Sequence, residues 1–129
     1  MVYMSLRKKK NKNRETIALI GERFAGKTQA FISLGGGKRM PTVPSIKKNQ
    51  TSYKLHEKSY TLIDYNGDNI SREEILSNIP SIYCIIHVID GTNTYTFGDE
   101  AMFLYRVLVN KAYQRDSCHY VIFLNKKDS

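Results

Sequence analysis

Residues 21–28 read Gly21-Glu22-Arg23-Phe24-Ala25-Gly26-Lys27-Thr28, which satisfies G-x-x-x-x-G-K-[ST]. The pattern carries chemistry between a strand and a helix, and both contexts are present. Before it, residues 16–20 form a short apolar run ending at Gly21, the mark of a buried strand entering a turn. After it, a helix is predicted from about Lys27 until three glycines at 35–37 make helix costly. In such a turn the backbone N–H groups from Gly21 to Thr28 point inward around phosphates, and the helix N-terminus adds its dipole. Lys27 would bridge the β- and γ-phosphates, and the Thr28 hydroxyl would ligate Mg²⁺. The alternative is an ordinary glycine-rich turn.

Working outward, Pro41 and Pro44 mark a loop after that first helix. Residues 52–56 and 60–64 alternate apolar and polar side chains around Glu57-Lys58, as an antiparallel hairpin does. Ser71 and Glu74 have capping-box spacing for a short helix limited by Pro80. Residues 82–90 are apolar almost throughout, the pattern of a strand covered on both faces. A helix is predicted over about 98–113, with Asp99 and Glu100 at its positive end and Phe103, Leu104, Val107 and Leu108 on one face. Residues 120–124 are the last buried strand. This alternation predicts a three-layer α/β/α domain with a mainly parallel sheet and one antiparallel edge hairpin. Across the sheet the expected order is hairpin outer strand, hairpin return strand, residues 16–20, residues 82–90, residues 120–124. Ligands of such sheets bind outside the carboxyl ends of the strands.

Polar motifs fall at those ends. Asp64 closes the return strand and Gly67 follows three residues later. An Asp there can hold Mg²⁺ through water, and the Gly67 N–H can meet a γ-phosphate; read alone, the pair is also an ordinary Asn66-Gly67 turn. Asn125-Lys126-Lys127-Asp128 follows the last apolar strand. A carboxylate such as Asp128 can accept two hydrogen bonds from guanine's ring N–H and exocyclic amine, which adenine does not supply. Asn125 would brace that loop, and Lys126 would lay its methylenes along the base. Thr42, in Pro41-Thr42-Val43, is placed to bring a second hydroxyl to Mg²⁺ when a γ-phosphate is present, or is plain loop punctuation.

The chain has 129 residues, 41% of them hydrophobic, which suits one compact domain and excludes collagen-like, coiled-coil and disordered classes. Its formal charge is +8, and Arg7, Lys8, Lys9, Lys10, Lys12 and Arg14 supply six of the positive charges near one end. We therefore divide it into a basic segment, 1–14, and a nucleotide-binding domain, 15–129. Apolar runs fall short of the roughly 18 to 20 residues that cross a bilayer. Residues 1–5 are too short and polar for a signal peptide, and Val2 excludes myristoylation. Cys84 and Cys118 lack the spacing of a zinc site or a disulfide framework, and a reducing compartment is expected.

These elements, in this order, resemble the Ras-like GTPase fold and, within it, the family of signal recognition particle receptor β subunits. The resemblance covers about residues 15 to 129. It is carried by Pro41-Thr42-Val43 with Ser45, by Leu62-Ile63-Asp64, and by Val88-Ile89-Asp90 followed by Phe103-Leu104-Tyr105-Arg106-Val107-Leu108. It implies a subunit that binds GTP or GDP with Mg²⁺ on the cytosolic face of the endoplasmic reticulum, anchored by an N-terminal membrane helix. Its GTP-bound form would hold the N-terminal domain of the receptor's α subunit, near ribosomes and without DNA. The basic run fits the cytosolic flank of such an anchor, or a solubilising tail.

Three departures qualify the resemblance. The few residues before the basic run hold no membrane helix, so either the chain is trimmed or its anchoring differs. Asp68 stands after Gly67, where the family often has His and Ras-type enzymes have Gln to orient water; a carboxylate there would be repelled by phosphate, so slow hydrolysis is expected. The sequence stops at Ser129, before the family's final strand, last helix and guanine-closing loop, which predicts an exposed sheet edge. The rivals are an Arf/Sar-type coat-recruiting GTPase, a nucleotide-locked binding module without hydrolysis, and a P-loop kinase, for which Arg106 and Arg115 are too isolated to form a lid.

Overall fold

A computed structural model describes residues 2–6, 14–21, 49–55 and 57–125. The expected first helix, the three glycines and the proline-bearing loop lie outside the described residues. The described elements are β1 (Val2–Leu6), β2 (Thr16–Gly21), β3 (Asn49–Leu55), β4 (Lys58–Asn66), α1 (Asn69–Ser77), β5 (Ile82–Asp90), α2 (Phe97–Leu108), α3 (Lys111–Arg115) and β6 (His119–Asn125). The strands form one sheet in the order β1-β6-β5-β2-β4-β3. Strand β2 lies parallel between β4 and β5, β6 is parallel to β5, and β3 closes one side as an antiparallel hairpin with β4. The mixed α/β sheet has the expected strand order, with apolar β2 and β5 at its centre because both their faces need cover.

Side-chain alternation along β2 divides the core. Ala18 and Ile20 join Ile63, Tyr65, Ile75, Phe103, Val107 and Tyr120 on the face where α1, α2 and α3 pack. Ile17 and Leu19 point the other way, with Leu62, Ile86, Val88, Val121 and Phe123. The period of two that places successive side chains on opposite faces thus separates two apolar layers within six residues.

The fold departs from the sequence reading at four places. The outer edge of β6, expected bare, pairs antiparallel with β1 from Val2↔Leu124 to Leu6↔Tyr120. An open edge is a row of unsatisfied N–H and C=O groups, and the apolar, β-favouring Val2-Tyr3-Met4 segment satisfies it. Arg14, counted with the basic segment, is instead buried, at 5% exposure. The helix expected over about 98–113 is two. Helix α2 stops at Leu108, and the Asn110 side chain accepts from the N–H groups of Ala112 and Tyr113 to start α3 afresh. Finally, α1 begins before Ser71: its cap is Asp68, whose Oδ1 accepts from the Ser71 N–H at 2.8 Å.

The hairpin has its own local signature. Glu57 takes φ of 67°, a left-handed conformation that lets a turn reverse the chain without glycine. Among the described residues, no helix is long and apolar enough to cross a membrane.

Candidate functional site

Strand register brings the polar motifs together. Gly21, the last residue of β2, lies opposite Asn66 on β4 and Val88 on β5. Two residues back, Leu19 pairs with Asp64. On the other flank Asp90 of β5 pairs with Asn125 of β6. The start of the phosphate-loop motif, the Asp64-to-Gly67 turn and the start of Asn125-Lys126-Lys127-Asp128 therefore share the carboxyl ends of four neighbouring, mutually parallel strands, β4, β2, β5 and β6. This is where an open α/β sheet holds ligands. Glu22, Arg23, Phe24, Ala25, Gly26, Lys27, Thr28, Thr42, Lys126 and Asp128 lie outside the described residues.

The turn at Gly67 is braced from several directions. Arg72 Nε donates to the Gly67 carbonyl at 2.9 Å, and Ser71 Oγ donates to Asn66 Oδ1 at 3.0 Å. Asp68 accepts from the Ser71 N–H through its side chain and from the Arg72 N–H through its carbonyl. The Ser71 N–H, then its hydroxyl, holds the Asp68 carboxyl below the usual aspartate range. Asp68 is thus an ionised helix cap, a role the sequence reading assigned to Ser71.

Behind this turn stands a buried polar chain that the sequence reading passed over. Arg72 Nη2 donates to Glu100 Oε1 at 3.0 Å, and the same oxygen lies 2.7 Å from His87 Nε2. His87 Nδ1 lies 2.7 Å from Tyr120 Oη. A proton on His87 Nε2 satisfies both contacts, with the Tyr120 hydroxyl donating to Nδ1. His87 is 1% and Glu100 2% exposed. Burial, with Glu100 next, raises the Tyr120 hydroxyl well above its ordinary pKa and keeps it a donor. The available signal was His87 itself: a polar residue inside a strand covered on both faces must find a partner.

Gly91 is a second residue the sequence reading did not select. Its N–H donates to the Asn125 carbonyl at 2.8 Å, so the turn after β5 fixes the chain where the Asn125 motif begins. Asp90 Oδ1 shapes that turn by accepting from the Thr92 N–H and hydroxyl at 2.9 and 2.6 Å.

Asp64, half-buried near the end of β4, carries carboxylate oxygens, the hard donors that could hold Mg²⁺. Among the described residues no three His, Cys, Asp or Glu side chains cluster as a protein-only metal site. A cleft of about 260 Å³ between α1 and α2, lined by Gly67, Arg72, Asp99, Met102, Phe103 and Arg106, opens on the helix side of the same turn.

Comparison with known proteins decides the family. The profile described as signal recognition particle receptor beta subunit matches residues 12–129. The chain belongs to this family. Among similar β subunits, that of Dictyostelium discoideum is 33% identical over 126 residues, covering 93% of this chain and 42% of that protein. The human β subunit is 28% identical, covering 99% of this chain and 49% of that protein. An ADP-ribosylation factor-like protein 13B of Chlamydomonas reinhardtii is 29% identical over 94% of this chain and 23% of its own length. The chain thus spans less than half the length of these curated relatives. The receptor β-subunit family is the one to which Pro41-Thr42-Val43 with Ser45, Leu62-Ile63-Asp64 and Val88-Ile89-Asp90 with the 103–108 string also point.

Proposed function

We propose that this chain is a GTP-binding switch subunit of a signal recognition particle receptor, whose output is nucleotide-controlled docking of the receptor α subunit at the endoplasmic reticulum. The observation that carries the reading is the meeting of Gly21, the Asp64-to-Gly67 turn and Asn125 at the carboxyl ends of neighbouring strands, supported by membership of the β-subunit family. In this reading the loop from Gly21 through Glu22, Arg23, Phe24, Ala25 and Gly26 wraps the phosphates with backbone N–H groups, and Lys27 neutralises their charge. Thr28 and Thr42 offer hydroxyls, and Asp64 a water-bridged carboxylate, to Mg²⁺, which when bound offsets charge on the β- and γ-phosphates. Gly67 presents its N–H to the γ-phosphate. Asn125, Lys126 and Asp128 select guanine. The ribosome's proximity and the membrane anchor belong to the same proposal.

Hydrolysis is a slow reset at most. An ionised Asp68 engaged in capping α1 neither accepts the position of a water-orienting amide nor sits comfortably beside a phosphate. That observation also supports a second reading, a nucleotide-locked docking module that does not hydrolyse. Single-turnover phosphate release with and without the α subunit separates the two.

The test of the main reading is competition on the full chain between labelled GTP and unlabelled GTP or ATP, together with chromatography of nucleotide released on denaturation. Unlabelled GTP displacing label while ATP fails is the expected result. Equal competition by ATP would remove Asp128 as a guanine reader.

A further inference from the structure

The Arg72 guanidinium is almost wholly buried, with each of its nitrogens donating inside the protein. It is 8% exposed, and its centre stands 5.6 Å from the Phe103 ring centroid. Its Nε donates to the Gly67 carbonyl, Nη1 to the Asp99 carbonyl at 3.0 Å and Nη2 to Glu100 Oε1. These three acceptors belong to two elements: the turn before α1 and the first turn of α2. Burying a guanidinium is costly unless its donors are met, and a planar fork meets acceptors in three fixed directions where an ammonium does not. The fork itself is held. Glu100 Oε1 is shared with His87 on β5, and His87 is held in turn by Tyr120 on β6. The chain of contacts therefore runs from central strands to one peptide carbonyl.

That carbonyl is the one beside the proposed γ-phosphate contact. The Arg72 bond holds the Gly67–Asp68 peptide through its C=O, and the pairing of Asn66 with Gly21 at the end of β4 holds the preceding peptide, which carries the Gly67 N–H. The only freedom left to the Gly67 N–H is small, although glycine elsewhere is the most mobile of residues. Donors held in place before a charge arrives stabilise it without reorganisation.

We propose that Arg72 is a positioning residue that sets the Gly67 N–H for the γ-phosphate and thereby discriminates GTP from GDP, with Glu100 holding the Arg72 fork. The proposal rests on the nucleotide reading above. It assigns to Arg72 an effect on the third phosphate alone, because GDP makes no contact with Gly67 in that reading.

The experiment compares GDP and a non-hydrolysable GTP analogue, both with Mg²⁺, on the full-length chain, on Arg72→Lys and on Glu100→Gln, with thermal unfolding of each. Arg72→Lys retains the charge and loses the fork. The expected result is a GTP-analogue affinity about tenfold weaker in Arg72→Lys, with GDP affinity within about twofold of the unaltered protein, and the same direction for Glu100→Gln. If Arg72→Lys does not fold, Glu100→Gln decides. Equal losses for both nucleotides, an unchanged ratio, or failure of both variants to fold would make the chain of contacts purely structural and overturn the proposal while leaving the nucleotide reading intact. An unaltered protein that binds neither nucleotide would overturn both.

Discussion

Arg14 and Asp116 stand 102 positions apart in sequence, yet Arg14 Nη2 lies 3.2 Å from the Asp116 carboxylate and donates to the Asp116 carbonyl as well. Arg14 Nη1 also reaches the Ile82 carbonyl at 3.3 Å. The guanidinium thus ties the lead-in to β2 to the starts of β5 and β6. The Asp116 side chain is half exposed, so the ion pair itself contributes little, and the backbone carbonyls carry the effect. Arg14→Ala should lower stability by about 1 to 3 kcal/mol, mostly by leaving those carbonyls without a donor. Denaturant unfolding with an unchanged m-value checks this, and a loss no larger than that of Lys58→Ala would refute it.

Asp68 should act on stability through α1. Asp68→Ala removes the acceptor for the Ser71 N–H and is expected to cost about 1 kcal/mol, whereas Asp68→Asn, which keeps an oxygen there, should cost a few tenths. Because the folded carboxyl titrates below its ordinary value, its contribution is whole above about pH 4 and is lost as pH falls through the lowered value. Unfolding curves of the unaltered and Asn proteins should therefore converge in acid. A gap that widens instead would contradict the cap.

Both thiols should be unreactive in the folded protein. Burial pushes Cys84 and Cys118 up to about 12 each, so neither offers thiolate at neutral pH. Iodoacetamide at pH 8 should add nothing to native protein within minutes and two groups in urea, read by intact mass. Rapid native alkylation of Cys118 would show that the β6 end of the core is open.

Gly91 should resist even a methyl group. A Cβ there would meet Leu124 Cδ1 at 3.1 Å and the Asn125 carbonyl oxygen at 3.3 Å. The leucine end can yield, but the carbonyl is fixed by its place at the end of β6 and by the Gly91 N–H. Gly91→Ala should therefore cost about 1 kcal/mol net, the overpacking exceeding the gain from a stiffer unfolded chain. Under the nucleotide reading it should also weaken GTP by displacing Asn125. An alanine variant as stable as the parent would mean that Asn125 moves freely.

Much of the architecture was legible because the strands announce themselves locally. Residues 82–90 are a strand with the bounds that their apolar run predicts, and the hairpin turns at Glu57 as its alternation implies. Helix ends were less legible. Ser71 and Asp68 both have capping chemistry, and only the position of the Gly67 turn selects Asp68. Asn110 ended a helix that hydrophobic periodicity alone would have continued through Tyr113. For the candidate site, the order Gly21, Asp64, Gly67, Asn125 was visible, whereas Arg72, His87, Glu100 and Gly91 were not, since none belongs to a motif.

The amino-acid sequence by itself determined which residues seek the interior and where polar motifs interrupt them, because period and composition act between near neighbours. It therefore specified a mainly parallel α/β sheet with its polar motifs at the strand ends. Tertiary structure alone decided which charges those strands would bury. Arg14 found Asp116 and Ile82, Arg72 found Gly67 and Glu100, and β1 found the edge of β6. A buried charge or an open strand edge requires a partner but does not encode which one. The packed sheet supplies that partner from far along the chain.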